Sequence, residues 1–284
     1  MRDIKCAELP FEYSSRDKLH VLVADHESSR NQLKAVTHRW AGPLPPESFC
    51  EYSDACLISS PEFTFLQLAS SKSIMELIEI GTYLCAGFSI TERGDFNELR
   101  DPVTSPERIE SYLACVRGAR GATKAQNALC HVAPNTASPM EILLGLAFTL
   151  PRRLGGWGYP EARANEELDV PDHLRATLGS RTLRCDLYFP SVRGDIEYDS
   201  AAFHSDAERL DYTQTRRNLL EAMGVKTVSA TKGQLNTYER FYDFMWMAIE
   251  RLGLPWRPPS KKTLTRQREL YGYLTSNHSL FRLC

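Results

Sequence analysis

The sequence predicts an α/β protein: a mixed sheet flanked by helices, preceded by a smaller α+β domain at the amino terminus. Three observations lead there. Residues 183–189 and 195–199 alternate apolar and polar side chains with a period of two, as half-buried strands do. A strand at 225–229 follows a helical stretch at 205–223, and a strand–helix–strand crossover implies a parallel pair, so the sheet mixes directions. Helical periodicity brackets these strands, at 138–149 and again at 236–252. A chain of 284 residues is long enough to bury a real core and to form two domains.

In chain order, LHVLVA at 19–24 reads as a strand, and 54–58 is a second strand candidate. Ser60-Pro61-Glu62 opens a helix through Phe65, Leu66 and Leu68. The stretch 74–84 repeats Ile74, Leu77, Ile78, Tyr83 and Leu84 at helical spacing, and Gly87 follows its end. Residues 88–104 are polar and turn-rich, which predicts an irregular connection. Ser105-Pro106-Glu107 starts a third helix and 122–132 makes a fourth. Ser138-Pro139-Met140-Glu141 then combines a Ser cap, Pro at the first helical position and Glu at the third, ahead of the apolar ILLGLAFTL. This capping box predicts that Glu141 bonds back to the Ser138 amide. Residues 151–180, rich in Gly, Pro and Arg, read as a long loop. After the strands, Gly224 closes the helix at 205–223, and 236–252 carries an apolar stripe of Phe241, Phe244, Met245, Ala248, Ile249 and Leu252. These readings divide the chain into an α+β domain at 1–104, a helical connection at 105–134, an α/β domain at 135–252 and a basic tail at 253–284.

The chemistry concentrates in RCDLYFPSVRGDIEYDSAAFH, residues 184–204. On its first strand Leu183, Cys185, Leu187 and Phe189 share one face, and Arg184, Asp186 and Tyr188 the other. On the second, Ile196 and Tyr198 oppose Asp195, Glu197 and Asp199. With the apolar sides inward, the carboxylates gather on the remaining face. Crowded carboxylates repel, so such a face holds a cation or lies open to water.

Composition sets limits around this hairpin. Hydrophobic content of 42% and charged content of 25% are ordinary for a soluble globular protein, and a net charge of −2 confines any nucleic-acid site to a local patch. No apolar run spans a bilayer and no signal-peptide pattern opens the chain, so a cytoplasmic protein without a membrane partner is expected. The eight cysteines contain no Cys-x-x-Cys pair, and several lie in apolar stretches. Reduced, buried thiols are expected, with neither a disulfide frame nor a zinc site. Near the carboxyl end Arg251, Arg257, Lys261, Lys262, Arg266, Arg268 and Arg282 face a single acid, Glu269. This reads either as a solvated tail or as a phosphate-tracking arm, which Arg152 and Arg153 would extend.

Glu197-Tyr198-Asp199-Ser200, then His204, Asp211, Arg216, Leu220 and Gly224, resemble the Vsr-like branch of the PD-(D/E)XK nuclease superfamily. Asp186 matches that family's first strand acid and Glu141 its helix carboxylate, and the likeness covers roughly residues 135–252. The resemblance implies a restriction-endonuclease-like fold and a metal-dependent DNA endonuclease that hydrolyses phosphodiester bonds in phage defence or repair. It implies Glu141, Asp186, Glu197, Asp199 and His204 as catalytic residues, with Asp186, Glu197 and Glu141 binding Mg²⁺ or Mn²⁺. Arg216 and Arg217 would clamp phosphate, beside Arg152, Arg153, Lys261 and Lys262. Asp199 stands where the wider superfamily has Lys, as is common in this branch, with His204 taking over part of the Lys role. Ser200 stands where relatives often have Gly.

HVLVADHESSRNQLKAVTHRW, ISSPEFTFLQLAS and MELIEIGTYLC resemble the second domain of abortive-infection antitoxin-like proteins. That implies a phage-defence setting and a protein partner for residues 1–104. The alternative to an enzyme is a nuclease-fold regulator that binds DNA or a protein without catalysis. Convergence of Glu141, Asp186 and Glu197 on one cation, with His204 joining them, favours the enzyme. A Glu141 occupied by its cap, with a splayed hairpin, favours the regulator.

Overall fold

A computed structural model of the chain describes residues 19–23, 35–54, 56–90, 96–98, 100–177, 179–199 and 207–276. They fall into two compact units: Met1–Lys72 with Glu107–Gln126, and Ser73–Pro106 with Asn127–Cys284.

In the first unit β1 (Leu19–Val23) pairs in parallel with β2 (Ala35–Arg39), and β3 (Phe49–Ser53) forms a hairpin with β4 (Cys56–Ser59). The Ser60 hydroxyl accepts the Phe63 amide at 3.2 Å and Pro61 takes the first position of α1 (Pro61–Ala69), as the Ser-Pro-Glu motif predicts. Phe63 is fully buried among the rings of Trp40, Phe49 and Tyr112. Tyr112 comes from α3 (Pro106–Cys115), where Ile109 and Leu113 are also buried, and its hydroxyl bonds to Ser48 at 2.8 Å. These contacts make α3 part of this unit, where the sequence reading put it in a connection. Cys115, the last residue of α3, is exposed. Of the thiols expected to be buried, Cys85 and Cys185 are, whereas Cys50, Cys115 and Cys130 are exposed.

The second unit begins at α2 (Ile74–Leu84), capped by a reciprocal box in which Ser73 accepts from Glu76 and Glu76 accepts from Ser73. The sequence reading assigned α2 to the amino-terminal domain. Its hydrogen bonds tie it instead to later residues: Thr82 accepts the Ala133 amide, the Cys85 carbonyl accepts the Asn135 amide, and buried Glu79 accepts the Tyr273 hydroxyl at 2.7 Å. The expected irregular connection after it contains a short antiparallel pair, β5 (Phe88–Ile90) and β6 (Phe96–Glu98). The unit boundary falls inside α4 (Ala122–Leu129).

The principal sheet is made of β7 (Arg163–Asp169), β8 (Thr182–Phe189), β9 (Gly194–Asp199) and β10 (Lys226–Thr231), in the order β10-β9-β8-β7. The β7–β8 and β8–β9 pairs are antiparallel. The β9–β10 pair is parallel, joined across α6 (Ala207–Ala222) as the crossover argument requires. β7 lies within what reads as a loop. Its sequence, RANEELD, holds only Ala164 and Leu168 as apolar side chains, as suits an edge strand. Tyr188 packs with Leu219 and Leu220 of α6, while the next residue, Phe189, meets Phe148 of α5 (Pro139–Thr149) edge-on at 5.2 Å.

After the short α7 (Lys232–Leu235), α8 (Tyr238–Leu252) buries all six residues of its predicted stripe and ends at Gly253 with φ 76°. The expected basic tail is in part a helix, α9 (Lys261–Leu274), capped by Ser260. Gln267, Leu270, Tyr271 and Leu274 recur at helical spacing and are buried, which is why this segment packs rather than trailing. It runs close to Gly155, where an added Cβ would lie 2.4 Å from the Arg266 carbonyl oxygen. Among the described residues no helix is long and apolar enough to cross a membrane.

Candidate functional site

The acidic hairpin is a fork. Pairing of β8 with β9 covers Phe189↔Gly194, Tyr188↔Asp195 and Leu187↔Ile196, and stops there. β8 is paired with β7 from Thr182 to Tyr188 and β9 with β10 from Gly194 to Asp199, so beyond Leu187 and Ile196 each strand keeps only its outer neighbour. Where the ladder stops, carboxylates take main-chain donors: Asp195 Oδ1 accepts the Leu187 amide at 3.3 Å, and Asp186 Oδ2 accepts the Tyr198 amide at 2.9 Å. Asp195 was expected on the exposed acidic face. It is fully buried, with Oδ2 lacking a hydrogen-bond partner.

Glu141 approaches from the first turn of α5. The Ser138 hydroxyl accepts its amide, as the motif predicts, but the Glu141 carboxylate reaches one residue further back than a capping box would, to the Ala137 amide at 2.7 Å. The same Oε2 accepts from the Asn165 amide group at 2.5 Å. Asn165 sits in β7 with φ 51°, a left-handed conformation that Asn tolerates better than most residues. The flanking pairs Ala164↔Leu187 and Glu166↔Cys185 set Asn165 opposite Asp186.

These acids crowd one another. Burial pushes the Glu141 carboxyl up to about 7, with the neighbouring Asp186 charge adding to the shift. Burial also raises Asp186, against the Tyr198 amide and the guanidinium groups of Arg216 and Arg184, which lower it. Burial and the Asp186 charge push Asp195 up to about 8. The adjoining Cys185 thiol is raised by burial and by Asp195, so it is held as an inert thiol.

Glu197 is held differently. Arg216 of α6 grips it with both terminal nitrogens, one bond at 2.9 Å, and also donates to the Arg184 carbonyl. Both partners are largely buried. Asp186, Glu197 and Asp199 line a cleft of about 510 Å³ together with Arg184, Arg216 and Arg217. Arg217 donates to the Ser229 hydroxyl at 2.6 Å. Glu141 lies outside that lining. Arg152 bonds the Arg257 carbonyl, Arg153 meets His131, and Lys261 and Lys262 are exposed at the start of α9; none of these four cations lines the cleft. His204 lies outside the described residues. Sequence reasoning missed Asn165 and Arg184 and gave Asp195 no role of its own; the one available signal was an Asn in a charged, otherwise featureless segment.

As a cation site, the donor set is all oxygen, which suits Mg²⁺ or Mn²⁺ rather than a soft metal. Two features fit a cation: the mutual repulsion of Glu141 and Asp186, and two buried oxygens without partners, Asp195 Oδ2 and Asn165 Oδ1. Two do not: the Glu197 oxygens are engaged by Arg216, and among the described residues no group of three or more His, Cys, Asp or Glu is gathered to hold a metal. No protein-family model, curated protein or solved structure matches the chain.

Proposed function

We propose that this protein is a metal-dependent endonuclease that hydrolyses phosphodiester bonds in DNA, built on a restriction-endonuclease-like core. What carries this reading is the fork: Asp186 and Glu197 lie on the two diverging strands, beside three arginines, with Glu141 electrostatically coupled to Asp186 from α5. The order helix, three antiparallel strands, crossover helix, parallel strand agrees with the core that the resemblance implies.

Glu141 and Asp186 would hold the ion, and Glu197 would join them once Arg216 exchanges it for a phosphate. A bound Mg²⁺ supplies charge to the non-bridging oxygen and an acidified water. The arginines of the cleft bind and orient the phosphodiester. The resemblance gives His204 the proton transfer, with Asp199 standing where the wider superfamily has Lys.

Three features favour a second reading, a nuclease-fold regulator that binds DNA or a protein without catalysis: the Arg216 grip on Glu197, the splay of β8 from β9, and a Glu141 carboxylate already held by Ala137 and Asn165. Nicking of supercoiled plasmid by wild type, Asp186→Asn and Glu197→Ala, with Mg²⁺, Mn²⁺ or chelator, separates the two. The enzyme reading expects metal-dependent nicking that falls by about 100-fold or more in either variant. DNA binding by the wild type without metal-dependent nicking on duplex, mismatched or single-stranded substrates would establish the second reading instead.

A further inference from the structure

We propose that Asn165 is a positioning residue of this site, orienting the Glu141 carboxylate for cation binding; this rests on the metal-dependent reading above. The geometry is specific. Both hydrogens of the Asn165 amide nitrogen are used, one on the Asn135 carbonyl at 2.8 Å and one on Glu141 Oε2. Both partners are acceptors, so the amide has one allowed orientation, with the nitrogen toward them and Oδ1 turned away. Oδ1 is buried and accepts no hydrogen bond. The Ala137 amide binds the same Oε2, so two donors from separate segments fix the rotation of one carboxyl group.

The backbone supports this assignment. Asn165 is held left-handed within a strand, directly across from Asp186, whose charge reaches Glu141. A residue needed only to strap the loop before α5 onto β7 has no reason to contact the carboxylate at all. The Asn135 carbonyl alone would serve. Asn165 does both, and its strand register sets it opposite Asp186. Partners of this kind fix ligand orientation and typically change metal affinity by 10–100-fold when removed.

The test is Mn²⁺ binding by the full chain, followed by titration calorimetry and by electron paramagnetic resonance of the free ion. Asn165→Gly keeps the left-handed backbone and deletes the amide. Asn165→Ser serves if the glycine variant does not fold, which a thermal melt in chelator decides. Wild type should bind Mn²⁺, Asn165→Gly about 10-fold or more weakly. The same change made in a Glu141→Gln background should have no further effect, because the residue acts through Glu141. Wild type that binds no Mn²⁺ overturns the metal-dependent reading itself. Wild type that binds, with Asn165→Gly unchanged or equally weakened in both backgrounds, overturns the role of Asn165 alone.

Discussion

Replacing Asp195 with Asn should make the protein more stable, increasingly so as the pH rises. Asp195 has no exposure, its Oδ2 has no partner, and its carboxyl is raised from 3.8 to about 8. The folded state therefore keeps a proton that the unfolded chain releases between those two values. A group raised in this way contributes most to stability below the unfolded value, and that contribution is lost as pH climbs toward the folded one. The slope for one proton is about 1.4 kcal/mol per pH unit. Asn has no proton to lose but keeps an oxygen for the Leu187 amide. The two proteins should match near pH 4 and diverge steadily, with Asp195→Asn ahead by on the order of 4 kcal/mol at pH 7 and the gap levelling above pH 8. The Glu141 titration is common to both and drops out of the difference to first order. Urea unfolding at half-unit pH steps in chelator, followed by tryptophan fluorescence, measures it; Trp157, Trp246 and Trp256 belong to the second unit. A constant difference between pH 5 and 8 would refute the reasoning, because it would mean that Asp195 is ionised in the fold.

Arg216→Ala should destabilise the second unit by about 3 kcal/mol, since it leaves Glu197 with 13% side-chain exposure and without its ion-pair partner. The loss should persist in 0.5 M salt, and equal stability of the variant in a denaturant titration would show the pair to be dispensable. Gly156→Ala should cost at least several kcal/mol, because the added Cβ would lie 1.9 Å from the Leu150 carbonyl oxygen, a main-chain atom that cannot swing aside. A melting temperature within 2 °C of wild type would contradict that close approach.

The parts of this structure that were legible in the sequence are those set locally. Ser138 and Pro139 start α5, and the stripe from Phe241 to Leu252 buries one face of α8, because caps and periodicity act within a few residues. β7 was not legible because an edge strand whose apolar residues are only Ala164 and Leu168 carries no pattern, and α9 was hidden by its charge although Leu270, Tyr271 and Leu274 are buried. The site divides in the same way. Asp186, Glu197 and Asp199 do share a cleft, but Arg216 was read as a phosphate ligand and meets Glu197, an ion pair that depends on how α6 crosses the sheet. Asn165 acquires its role only through register, by lying opposite Asp186. The capping box misled for a related reason. It accounted for the Glu141 amide and not for the carboxylate, which the Ala137 and Asn165 donors hold.

The fork concentrates departures that a purely structural sheet avoids. Two side-chain carboxylates accept amides where a ladder would normally use carbonyls, three acids are raised by burial, and two buried oxygens have no partner. Against this stands chiefly Arg216, which pairs with Glu197 and whose charge also lowers Asp186 and Asp195. One guanidinium serving three carboxyls is a poor arrangement for stability, since apolar residues of similar volume would cost less to bury. It is a good arrangement for exchange. A phosphate drawn to Arg216 competes with Glu197 for the same planar fork, and each Glu197 oxygen released adds a donor next to Asp186. Under the proposed metal-dependent reading, substrate and cation binding are linked in sign: each should tighten the other, with Arg216 as the residue through which they communicate.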